Sequence, residues 1–146
     1  MNAKYMELAL TEAKKAALEG EVPIGAVLVK NGEVVATAHN LCEKLKDPTA
    51  HAEILVIKKA SEILGDFRLT GAELYVTLEP CPMCAGAAIN ARIGEIIFGA
   101  FDPVKGALGS VTNLYSFNFP NKPQIFGGIK EKETAKLLQD FFKLKR

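Results

Sequence analysis

Long hydrophobic runs are missing from this chain of 146 residues. No apolar run approaches the roughly 18–20 residues of a membrane-spanning helix, which excludes a span of that kind. Met1-Asn2-Ala3-Lys4-Tyr5 carries no apolar stretch of signal-peptide type, so a soluble cytoplasmic protein is expected. Cysteine is scarce: Cys42, Cys81 and Cys84 are the only three. An odd count with one C-x-x-C pair is a poor disulfide framework, and in a reducing compartment such a pair reads as metal-binding or redox. Net charge is small, +1, and by itself argues neither for nor against a nucleic-acid partner. Internal repeats, low-complexity tracts and linkers are absent as well. With 49% hydrophobic and 24% charged residues the chain is neither disordered nor collagenous. The length fits one domain, residues 1–146, which can bury about 70% of the surface that its unfolded form exposes.

The charge is unevenly spread. Residues 1–121 carry a net −3, and residues 122–146 a net +4. A basic last helix can hold phosphates, although a merely solvated helix face gives the same pattern.

Hydrophobic spacing lays out the elements. Met6, Ala9, Leu10, Ala13 and Ala17 trace one helical face, and Gly20 can end that helix. Two apolar runs around Asn31-Gly32 predict a hairpin, because both turn positions need positive φ. A second helix is expected from about Ala50 to Leu64, after Asp47-Pro48. Leu74–Leu78 and Ile96–Phe98 read as strands, with a short helix from about Met83 to Arg92 between them. That βαβ order predicts parallel strands with a right-handed crossover. A loop rich in Gly, Asn and Pro follows from Asp102 to about Pro123. The last helix runs from about Lys130 to Lys145, with Ala135, Leu138, Phe141 and Phe142 expected to face inward. Together these elements predict an α/β fold, a mixed sheet with helices on both faces.

Two segments carry chemistry: His51-Ala52-Glu53 and Pro80-Cys81-Pro82-Met83-Cys84. Both stand at predicted helix starts, where partial positive charge favours thiolate over thiol. One imidazole and two thiolates make three ligands suited to zinc, and three protein ligands leave a fourth tetrahedral position open for water. Zinc lowers the pKa of such a water to about 7. Proton transfer needs a further group, and Glu53 is nearby in sequence. On a regular helix, however, residues two apart point roughly 200° away from each other. His51 and Glu53 therefore meet at one site only if the metal lies off the helix end. Taken singly, each half has plainer readings: a cap or surface residue for His51 or Glu53, a structural zinc or redox pair for the cysteines. Pro82-Met83 and the distant H-x-E weaken the redox reading.

H-x-E followed by P-C-x-x-C is far more specific than either half. Here the chain resembles the zinc-dependent nucleobase deaminases of the cytidine/deoxycytidylate deaminase superfamily. The resemblance covers nearly the whole chain: GEVPIGAV at 20–27, His39-Asn40, DPTAHAE at 47–53, LYVTLEPCPMCAGA at 74–87, Arg92-Ile93, FGA at 98–100, GALGS at 106–110 and Phe141-Phe142-Lys143. The central motifs mark the superfamily, and the flanking ones resemble its branch of tRNA-specific adenosine deaminases.

The resemblance implies a three-layer α/β/α sandwich around a mixed five-stranded sheet, one Zn2+ per subunit and a homodimer. It implies hydrolytic conversion of the wobble adenosine of a tRNA anticodon, an arginine tRNA in that branch, to inosine. His51, Cys81 and Cys84 are then the metal ligands and Glu53 the catalytic proton shuttle. Asn40 would hydrogen-bond the purine, Asp102 would lie near ribose and phosphate, and Phe142, Lys143 and Arg146 would touch RNA. Asn121-Lys122 departs from a frequent Asn-His, and the tail ending at Arg146 is shorter than in some members. Cys42 is expected to be a buried or half-buried free thiol, and His39 a structural hydrogen-bonding residue. Two other functions compete: deamination of a free base or nucleoside of guanine or cytosine type, and a non-catalytic zinc module closed by Cys42 or His39.

Overall fold

A computed structural model describes residues 2–144. Helix α1 (Ala3–Leu18) starts where the Asn2 side chain accepts the Lys4 N–H, satisfying one of the free donors of the first turn. Its buried stripe is Met6, Ala9, Leu10, Ala13 and Ala16, with Glu12 inside it; Ala17, expected in the stripe, is only half-buried. Strands β1 (Gly25–Lys30) and β2 (Glu33–His39) form the expected hairpin. Asn31 and Gly32 have φ of 53° and 76°, the two left-handed positions that this turn demands.

After β2 come a one-turn helix α2 (Cys42–Leu45), helix α3 (Ala52–Leu64), strand β3 (Glu73–Leu78), helix α4 (Pro82–Asn90) and strand β4 (Glu95–Ala100). A 3-10 turn at Leu114–Ser116, a short strand β5 (Gln124–Phe126) and helix α5 (Glu131–Leu144) complete the chain. The sheet order is β2-β1-β3-β4-β5. β1 is antiparallel to both β2 and β3, while β3–β4 and β4–β5 are parallel. The predicted mixed sheet and βαβ unit are therefore present. Sequence spacing located neither β5 nor α2.

Strand residues alternate between two cores. Ala26, Leu28, Leu74, Val76, Ile96 and Phe98 pack with Ala52, Val56, Ala85 and Ala88 of α3 and α4. Val27, Val29, Tyr75 and Ile97 pack on the other face with Met6 and Ala9 of α1. Both faces are covered, which is why the central strands read as unbroken apolar runs. In open α/β sheets ligands bind beyond the carboxyl ends of the strands. Here those ends lead into Asn40 after β2, Glu79 after β3 and Phe101 after β4.

Candidate active site

Two helix starts build the floor of the site. His51 is the residue before α3, with extended backbone (φ −73°, ψ 153°), so the helix proper begins at Ala52 and Glu53 lies in its first turn. The 200° opposition expected on a regular helix does not arise, because His51 stands outside the helix. Asn40 helps to fix this entry: its side-chain oxygen accepts the Ala52 N–H at 2.9 Å. Cys81 has the same place before α4 (φ −77°, ψ 173°), Pro82 occupies the first helical position, and Cys84 follows in the first turn.

These starts bring three donors together. His51 Nδ1 lies 3.7 Å from Cys81 Sγ and 3.5 Å from Cys84 Sγ, and all three ligand atoms lie within 4.8 Å of one another. Sulfur at about 2.3 Å and nitrogen at about 2.05 Å from one tetrahedral ion stand about 3.6 Å apart. The donor set and its spacing therefore fit zinc. Among the described residues no fourth His, Cys, Asp or Glu joins this group. His39, one candidate for closing it, has its ring nitrogens on Glu12 (3.0 Å) and Glu19 (3.1 Å), the structural role expected of it. Cys42 is a half-buried free thiol on the cavity wall, its pKa raised by burial first and by Glu21 and Asp47 next.

The electrostatics suit proton traffic. A hydrogen bond from the Cys84 thiol, together with His51, outweighs burial and holds Cys81 down to about 4. Cys84, donating to that sulfur and buried, is pushed strongly upward. Glu53 is 4% exposed, and burial pushes its carboxyl up to about 7 against the opposing pull of its own backbone N–H and His51. A buried carboxyl beside the three donors is placed to exchange protons with a group held there.

A cavity of about 800 Å³ opens above this floor. Asn40, His51, Glu53, Cys81, Asp102 and Phe142 all line it. Cys84 lies beneath, 1% exposed. Asp102 is half-buried, and its Oδ1 accepts the Val104 and Lys105 N–H groups at 2.9 and 3.2 Å. Lys143 is exposed and not on the wall, and Arg146 lies outside the described residues. Phe142 corrects the expectation that it faces inward. Both Phe141 and Phe142 line the cavity, but successive helical residues point about 100° apart, so Phe141 is buried while Phe142 stands 49% exposed.

Two buried acids that line the cavity were missed. Glu21 accepts the Glu43 and Lys44 N–H groups at 2.9 and 2.8 Å, holding the start of α2. Glu79, 2% exposed, accepts the N–H groups of Asp102 (3.0 Å), Leu108 (3.0 Å) and Ser110 (3.1 Å) and the Ser110 hydroxyl. Gly106 belongs to this knot, since a Cβ there would strike the Glu79 carboxyl. An acid closing an apolar strand, just before Pro-Cys-Pro, was the available signal. Lys122 donates to the Tyr115 and Phe117 carbonyls, tying down the 3-10 turn.

A deaminase is what this donor set and fold define, and the family model of the MafB19-like deaminases matches residues 1–146. A tRNA-specific adenosine deaminase of Bacillus subtilis (strain 168) is 52% identical over 140 residues, 95% of this chain and 87% of the relative. Another, from Agrobacterium fabrum, is 50% identical over 143 residues, 97% and 94% of the two chains. A solved structure from work on A-to-I editing by tRNA:A34 deaminases superposes with a TM-score of 0.87 at 48% identity, covering 94% of this chain and 100% of its own. The chain belongs to the tRNA-specific adenosine deaminase family.

Proposed function

We propose that this chain is a hydrolase that converts the wobble adenosine of a tRNA anticodon loop to inosine. Adenosine and water give inosine and ammonia. The observation that carries the reading is the meeting of one imidazole, two cysteine sulfurs and a buried carboxyl at the floor of one cavity. His51, Cys81 and Cys84 would hold one zinc ion per subunit, which when bound supplies an activated water at neutral pH. Glu53 takes a proton from the attacking water and delivers it to N1 of the adenine, then takes the proton of the new C6 hydroxyl and passes it to the amino group, which leaves as ammonia while C6 becomes a carbonyl. Asn40, its oxygen occupied by Ala52, keeps its amide NH2 for the purine. Asp102 lies toward ribose and phosphate. Phe142, Lys143 and Arg146 grip the loop, whose bases are already single-stranded and cheap to turn out.

Residues 1–146 act as one deaminase domain, working in the cytoplasm where tRNA is modified. No helix among the described residues is long and apolar enough to cross a membrane. The active unit is a homodimer. Met83 and Phe119, exposed along the groove between α4 and the 3-10 turn, supply apolar surface for a second copy.

Incubation with total tRNA and mapping of inosine tests the reading. Inosine at the wobble position of an arginine tRNA, with turnover falling as salt rises, is expected. Equal, salt-insensitive turnover of free guanine or cytidine would contradict it.

A further inference from the structure

One wall of the cavity is built from apolar groups that the deamination chemistry leaves idle. Phe101, directly after β4, is 47% exposed, and Val104 on the same loop is 76% exposed; both line the cavity. Exposed apolar groups gathered at a binding cavity mark a surface that something covers. The Phe101 ring is also held in place. It stands edge-on to Phe98, with ring centroids 5.1 Å apart and planes at 88°. The next residue, Asp102, gives its N–H to the buried Glu79 carboxylate, and the same carboxylate pins Leu108 and Ser110. Packing on one side and a carboxylate knot on the other thus fix a half-bare ring at the edge of the cavity. A rigid ring loses little freedom when a ligand settles on it.

We propose that Phe101 is a specificity-determining residue, its ring the stacking platform for a nucleobase that flanks the target adenosine. This rests on the tRNA reading above. Turning one base into the cavity breaks its stack with its neighbours and bares their faces. Single-stranded RNA is held by aromatic rings that take up such faces. Because every base has a π-face, the platform favours a loop over a free nucleoside without dictating the flanking sequence.

The test is steady-state deamination of an anticodon stem-loop by wild type, Phe101→Leu and Phe101→Trp. Each enzyme is also given stem-loops with an abasic nucleotide 5′ or 3′ of the target. Phe101→Leu keeps an apolar contact with Phe98 but loses the ring, and it should raise KM about 5- to 150-fold with a smaller change in kcat. Phe101→Trp should restore KM. On the abasic stem-loop that lacks the stacked base, the penalty of Phe101→Leu should shrink to less than about 2-fold. Phe67→Leu, at a ring 58% exposed and outside the cavity, is the control and should leave KM unchanged. A Phe101→Leu enzyme with wild-type KM on the intact stem-loop overturns the proposal. So does a full penalty that persists on both abasic stem-loops, which would mark a packing role. If wild type itself makes no inosine in the intact stem-loop, the tRNA reading beneath the proposal fails, a separate and visible result.

Discussion

The floor and the rim of the cavity are built in opposite ways. The floor draws His51, Glu53, Cys81 and Cys84 from two helix starts, and its reactive groups are buried or half-buried. The rim draws Phe101, Val104 and Phe142 from a loop and a late helix, and it is apolar and open. Chemistry needs fixed distances between few atoms, so it sits where two helices begin on a rigid sheet. Grip needs area, so it sits where side chains can meet a large partner. Glu79 joins the two regions: it follows the strand that leads to Cys81 and holds the loop that carries Phe101.

If floor and rim are distinct, variants should separate them. The largest effect belongs to the floor: Glu53→Gln should keep zinc, by metal analysis, and lose about 10²- to 10⁴-fold in kcat. At the junction, Glu79→Gln strips a charged acceptor from several buried or half-buried donors. It should lower stability by about 2–3 kcal/mol in urea melts and raise KM for the stem-loop as the rim loosens.

Away from both regions, Glu12 ties α1 to His39. Burial would raise its carboxyl, but hydrogen bonds from Lys15 and His39 and their charges hold it below its ordinary 4.5. A lowered folded-state pKa gives stability that is complete above the ordinary value and is lost as pH falls through the folded value. Urea midpoints should therefore drop as pH falls below about 4.5 toward about 3, and Glu12→Gln should flatten that part of the curve. The smallest effect belongs to the outer rim. Lys143→Ala should weaken stem-loop binding only modestly and reduce the slope of log affinity against log salt by about 0.7.

The same division governs what could be read from sequence. That His51, Glu53, Cys81 and Cys84 gather at one place was legible, because a three-donor metal site would demand particular atoms and the H-x-E and C-x-x-C spacings suit it. The hairpin was legible because Asn31-Gly32 is a local conformational demand. The extended backbone of His51, which lets it share a site with Glu53, was posed by the spacing as a demand and answered only by the fold. β5 escaped because its three residues are too few to show alternation, and their pairing with β4 is settled by tertiary contact. Phe142 was misplaced because the last helix offers two adjacent rings that both reach the cavity, and only the tertiary packing decides that Phe141 is the buried one and Phe142 the exposed one. Glu79 escaped because its partners lie 23 to 31 residues further along the chain.

X-ray absorption at the zinc edge of the metal-loaded protein tests the central claim most directly. One nitrogen, two sulfur and one oxygen neighbour are expected, the oxygen exchanging with solvent. A third sulfur or a second nitrogen in the shell, unchanged when substrate is added, would mean a closed structural site and would contradict the account.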